Sequence, residues 1–168
     1  MKTIKAVPIT SENFAPYGFI ANITDPGAAY GMGEYPSVFH RDMVLVPNAS
    51  RAVTAFGSLK VGKRDMVIAD AEYHSFAMEV MMPLDDDMVM AAAPANGGEV
   101  ELDKQEAFIV PAGTMVVFRA GAWHGAPSLC ITTALCSSAC LSGPTSTTPA
   151  RFCLRRSRRF KLRYNRTN

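Results

Sequence analysis

Short apolar runs broken by turn residues set the pattern of most of this chain. Runs at 43–46, 52–56, 66–69, 77–82, 88–92, 107–110 and 115–118 recur roughly every ten residues, the spacing of short strands joined by turns. Between them sit turn formers: Pro47 with Asn48, Leu84 followed by Asp85, Asp86 and Asp87, Asn96 with Gly97 and Gly98, and Pro111 with Gly113. No helical period is sustained across these runs, so they predict an all-β sandwich or barrel rather than alternating strand and helix units. The opening is different. PITSENFAPYGFIA predicts a short helix with Thr10 or Ser11 as its N-cap, stopped by Pro16 and followed by a strand after Tyr17 and Gly18.

Composition narrows the picture only in part. The chain has 168 residues, 48% hydrophobic and 19% charged, which suits one globular domain with a real core. No apolar run approaches the ~18 residues that span a bilayer, and no apolar stretch follows the two early lysines, so a cytoplasmic protein is expected. Charge is unevenly placed. All 15 acidic residues lie at or before Glu106, whereas eight of the 17 basic residues lie in 151–168, leaving 1–150 with nine basic against 15 acidic, a net of −6. The body is thus an acidic domain with a basic tail. Such a tail could touch phosphates, but no recognition motif accompanies it, and nucleic-acid binding is not expected. Cys130, Cys136, Cys140 and Cys153 all fall late in the chain and match neither a zinc-knuckle spacing nor a disulfide framework. Residues 1–128 are expected to form the domain. The Cys/Ser-rich and then Arg-rich stretch 129–168 has no clear period; it is expected to be a disordered tail or the product of a reading-frame shift, which sequencing the locus would test.

One spaced signature carries the chemistry. Gly113, Arg119, Gly121, His124 and Ser128 stand at the intervals of the second cupin motif, with Arg119 for its usual Pro and Ser128 for its usual Asn. Upstream, Glu72 and His74 have the i, i+2 spacing that points two side chains to one face of a strand. Glu79 follows five residues later, at the far end of the same arm or on the next strand, as a ligand, a base or a surface carboxylate. Two imidazoles and two carboxylates suit manganese, iron, nickel or zinc without choosing among them. A guanidinium such as Arg119 or Arg41 can grip a carboxylate bidentately; the bland alternative is an outward-facing turn residue. His40 is expected in a loop, and the methionines of MEVMMPLDDDMVM as core filling.

These residues resemble the ureidoglycolate lyase family, a cupin-fold group of allantoin catabolism, over about 5–128. The shared features are Phe14-Ala-Pro16-Tyr17-Gly18, Glu72-Tyr-His74, Met82-Pro83-Leu84, Ala93-Pro94, Phe108-Ile-Val-Pro111 with Gly113, and Gly121-x-Trp123-His124-Gly-Ala-Pro127. Where some relatives carry a second histidine this chain has Phe76, so one potential ligand is absent. The resemblance implies a cupin-like β-barrel or jelly roll with a short N-terminal helix. It also implies cleavage of (S)-ureidoglycolate to glyoxylate and urea. Glu72, His74, Glu79 and His124 would be catalytic and would hold a divalent metal ion, and Arg119 or Arg41 would bind the small-molecule substrate. A homodimer is implied as well. The competing expectations are another small-molecule cupin enzyme and a ligand-binding cupin without turnover.

Overall fold

A computed structural model describes residues 2–26, 30–31, 38–40, 42–47, 53–62, 65–96, 99–125, 127–129, 133–142, 150–153 and 160–163. Arg41 lies outside the described residues, as do Cys130 and most of the Arg-rich stretch. Among the described residues the fold is all-β, with a four-residue helical turn at Ser11–Phe14 and a 3-10 turn at Leu102–Lys104. Thr10 caps that turn: its side chain accepts from the Asn13 backbone N–H while the Asn13 side chain accepts from the Thr10 N–H.

Two sheets face each other, as in a cupin-like jelly roll. Among the described residues, one runs in the order Ala150–Cys153, Asp70–Tyr73, Trp123–His124, Met88–Ala93, Glu106–Val110, Val7–Pro8, with Ser128–Leu129 also on Met88–Ala93. The other runs Gly18–Asn22, Thr114–Phe118, Glu79–Pro83, Thr133–Ser142, Val53–Gly62. The chain changes sheet between Tyr73 and Glu79, at the Asp-rich turn after Pro83, at Pro111 to Gly113, and again after Phe118. Each crossing turns a hydrophobic strand end over the edge of the sandwich, so consecutive strands face one another across the core.

Alternation along each strand then builds that core. Met88, Met90 and Ala92 point between the sheets and meet Phe108, Val110, Met81, Val116 and Phe118, with Phe14 and Tyr17 closing one side. Val89 and Ala91, on the opposite face of the same strand, pack with Ala6, Ile68 and Ala107. A further sheet, Lys2–Lys5, Phe160–Arg163 and Val67–Ile68, lies on that outer side. The Met88–Ala93 strand is therefore buried on both faces, which is why its sequence is an unbroken apolar run.

Two motif glycines make the crossings. Thr114 donates its backbone N–H to the Pro111 carbonyl, and Ala122 donates to that of Arg119. The third residues of these turns, Gly113 at φ 78° and Gly121 at φ 82°, occupy the left-handed region that a type II turn requires.

One expectation needs correcting. The run 43–46 is not a strand, although its neighbours are. Leu45 is 64% exposed, Pro47 removes a backbone donor at its end, and the apolar run there pairs with no strand among the described residues. The stretch after residue 128 also holds a strand of ten residues, Thr133–Ser142. It lies between Val53–Gly62 and Glu79–Pro83. Strand pairing thus continues well past residue 128.

Candidate functional site

The site sits between the sheets, at the end where the core row Met88, Met90, Ala92 runs out. Trp123–His124 pairs with Met88–Ala93 on one side and Asp70–Tyr73 on the other, placing His124 opposite both Ala92 and Glu72. Period-two geometry splits this pair. Trp123 packs outward with Ala71, Ala93 and Tyr73, its indole N–H donating to Asn96 Oδ1 at 3.2 Å. His124 points inward and is 2% exposed. His74 follows directly after Asp70–Tyr73, where its carbonyl accepts from the Gly121 backbone N–H at 2.8 Å. Glu79 begins Glu79–Pro83, the central strand of the opposite sheet, lies on the same face as Met81, and is 8% exposed.

These three side chains converge on one point. His74 Nε2 lies 2.8 Å and His124 Nε2 2.9 Å from the same oxygen, Glu79 Oε2. The ligand atoms of all three lie within 4.8 Å of one another. Burial alone would raise the Glu79 carboxyl, but the hydrogen bonds and charges of the two imidazoles outweigh it and hold the group down to about 2. The His74 imidazole is raised from its ordinary value, chiefly by the hydrogen bond to Glu79, against the effect of burial and with help from the charges of Glu79 and Glu72.

The donor set fits a cation. His124 Nδ1 lies 2.9 Å from the Ala122 carbonyl, which can only accept, so Nδ1 carries the hydrogen. A neutral ring then has a bare Nε2 lone pair facing a carboxylate oxygen, which is repulsive. A positive charge belongs between them, either a second ring proton or a metal ion. Nδ1–H bound to a backbone carbonyl with Nε2 bare is also how proteins orient a metal-ligating histidine. The two separations from Glu79 Oε2, 2.8 and 2.9 Å, agree as well: ligands at right angles around an ion, each ~2.1 Å away, stand ~3.0 Å apart.

The other expected residues are placed differently. Glu72 stands directly opposite His124 and shares its sheet face, close enough for its charge to act on His74, but its carboxylate is not part of the three-residue group. Arg119 is exposed and donates from Nη1 to the Ala15 carbonyl at 2.7 Å, securing the end of the helical turn. It also opens the turn whose Gly121 is bonded to His74, which puts it at the site's end of the sandwich. Phe76, in the link between His74 and Glu79, is 80% exposed. His40 lies outside any strand or helix. Sequence spacing offered no sign of two contributors, the Ala122 carbonyl and the ring of Phe118. A carbonyl has no sequence signature, and one Phe in an apolar run looks like any other core residue.

The chain is similar to several known proteins. The family described as ureidoglycolate lyase matches residues 1–136. A provisionally assigned ureidoglycolate lyase of Agrobacterium fabrum is 27% identical over 133 residues, 74% of this chain and 74% of that one. Among solved structures, the dTDP-4-dehydrorhamnose 3,5-epimerase of Elizabethkingia anophelis is 13% identical, with 63% of this chain and 58% of that chain covered and a TM-score of 0.45. Vicilin of Capsicum annuum is 14% identical, covering 77% of this chain and 38% of that one, with a TM-score of 0.43. This chain therefore spans less than two thirds of the solved structures it matches. No helix among the described residues is long and apolar enough to cross a membrane.

Proposed function

The chain belongs to the ureidoglycolate lyase family, and from that membership we propose that it cleaves (S)-ureidoglycolate to glyoxylate and urea. The observation that carries the reading is the meeting of His74, Glu79 and His124 at one oxygen, inside a barrel and from both of its sheets. The substrate carbon bears a hydroxyl, a carboxylate and a ureido nitrogen. Breaking its C–N bond requires that the hydroxyl lose its proton and the departing nitrogen gain one.

His74, Glu79 and His124 would hold a divalent cation, manganese, iron, nickel or zinc, with Glu72 beside them or as a fourth ligand; the cation would supply Lewis acidity toward the substrate hydroxyl. Glu72, on the same face as His124, is the group we assign to the proton. Its carboxylate takes the proton from the hydroxyl, the C–O bond becomes the aldehyde of glyoxylate, and the same proton passes to the nitrogen leaving as urea. Burial of His124 and Glu79 keeps water from competing at this point. Arg119 and Arg41 are the cations proposed for the substrate carboxylate. Arg119 uses Nη1 on Ala15, and the rest of its guanidinium would meet the substrate. A homodimer acting on this small molecule in the cytoplasm completes the proposal.

The test is metal analysis of the purified protein, followed by assay of urea and glyoxylate released from ureidoglycolate. The His124→Ala variant should release urea at least ~100-fold more slowly. Full activity in that variant would remove His124, and with it the proposed mechanism.

A further inference from the structure

We propose that Phe118, backed by Phe14, is a positioning residue that fixes the ring of His124 in the orientation the site needs. The inference rests on the proposed role of His124 but concerns a residue outside the ligand set. The rings of Phe118 and His124 are stacked, centroids 4.6 Å apart and planes 19° from parallel. Phe118 is 1% exposed and so is not free to follow a moving imidazole. It also lies directly opposite Glu79 in the neighbouring strand. One side chain therefore borders both the carboxylate from its own sheet and the imidazole from the other.

A single Nδ1–H bond to Ala122 leaves the imidazole able to swing about that bond. A flat ring lying parallel to it removes that freedom, leaving Nε2 directed at Glu79. Phe118 is itself held edge-on by Phe14, centroids 5.4 Å apart at 73°, and Phe14 is held in the same way by Phe108 at 5.4 Å and 86°. Phe14 is fully buried, and the segment around it is tied down twice. Arg119 bonds the Ala15 carbonyl, and the Tyr17 hydroxyl donates to Glu106 at 2.5 Å. The N-terminal turn thus reaches the site through two aromatic rings, Phe14 to Phe118 to His124. An aliphatic side chain of similar volume would fill the same space without a flat face.

The experiment compares Phe118→Leu with Val116→Ala, a core truncation two residues away on the same strand that removes no aromatic ring. Zinc and manganese affinities are measured by competition with a chelator, and long-range 15N–1H spectra of the chelated protein report the His124 tautomer. Loss of an orienting neighbour of this kind costs ~10-fold or more in metal affinity, and that loss is expected for Phe118→Leu. Its His124 signals should also show mixed tautomers, whereas Val116→Ala keeps wild-type values on both counts. Unchanged affinity and a single Nδ1–H tautomer in Phe118→Leu would overturn the proposal, as would an equal loss in Val116→Ala. If Phe118→Leu does not fold, Phe14→Leu gives the same readouts one ring further out. The tautomer spectra need neither metal nor substrate. A wild-type protein that is inactive on ureidoglycolate, but whose His124 loosens when Phe118 is changed, would sink the lyase reading alone.

Discussion

His74 and His124, fifty positions apart in the chain, place their rings 5.5 Å from each other and their Nε2 atoms on one oxygen of Glu79. Together with a carboxylate from the opposite sheet they make a three-residue group that could hold a metal ion, its geometry set by the sandwich itself.

Glu79→Gln keeps the shape of the side chain and removes its charge. Zinc affinity, measured by competition with a chelator, should fall ~10-fold or more, because a neutral amide oxygen replaces an anionic ligand. Urea release should fall with it. An unchanged affinity would mean that Glu79 is a hydrogen-bond partner and not a ligand.

Acid and base should both destabilise the metal-free protein, each through a different partner of the same contact. The Glu79 carboxyl is lowered in the folded state, so its contribution to stability is present above its ordinary value and is lost as pH falls toward about 2. The His74 imidazole is raised, so its contribution is complete below its ordinary value and is lost as pH climbs through the raised one. Both describe the same contact and are not to be added. Thermal melts in chelator should therefore show greatest stability on the mildly acidic side of neutrality. Glu79→Gln should flatten the curve at both ends.

Arg119→Ala should separate binding from turnover. If the guanidinium meets the substrate carboxylate, losing a charge-assisted bond of ~1.5–3 kcal/mol raises KM by roughly 10-fold or more. The turnover number should stay within about threefold. A variant that is merely less stable, with KM unchanged, would confine Arg119 to holding the Ala15 carbonyl.

Alanine at the two turn glycines should cost unequal amounts. Gly121→Ala forces a side chain into the left-handed region, costing ~1–2 kcal/mol, and its new methyl would come 3.1 Å from Ala95 Cβ. Gly113→Ala carries the same backbone cost and in addition brings the methyl to 2.6 Å from Thr24 Cγ2. Denaturant melts should rank Gly113→Ala below Gly121→Ala. Because Gly121 also bonds the His74 carbonyl, only its variant should weaken metal binding.

How far the sequence revealed this site depended on spacing. His124 was legible because four other motif positions surround it, and His74 because Glu72 precedes it at strand spacing. Glu79 was ambiguous until the change of sheet between Tyr73 and Glu79 became visible, since no local pattern says on which sheet a strand will lie. The run 43–46 misled for a related reason: apolar alternation marks a strand only where a neighbouring backbone is available to pair. Thr133–Ser142 was faint because TALCSSACLS offers few β-branched or aromatic residues. Its position is fixed by two neighbours that bond it along its length, which a linear pattern does not encode. The stack of Phe118 on His124 was invisible for the same reason.

That late strand changes what the end of the chain is worth. It pairs Cys136 with Pro83 through Ala139 with Val80, along the strand that begins at Glu79. A chain truncated at the close of the recognisable motif would strip the hydrogen-bonding neighbour from the carboxylate's own strand. The outermost strand, Val53–Gly62, would lose its mooring as well. However unpromising its composition, this late segment is a girder behind the strand that carries Glu79.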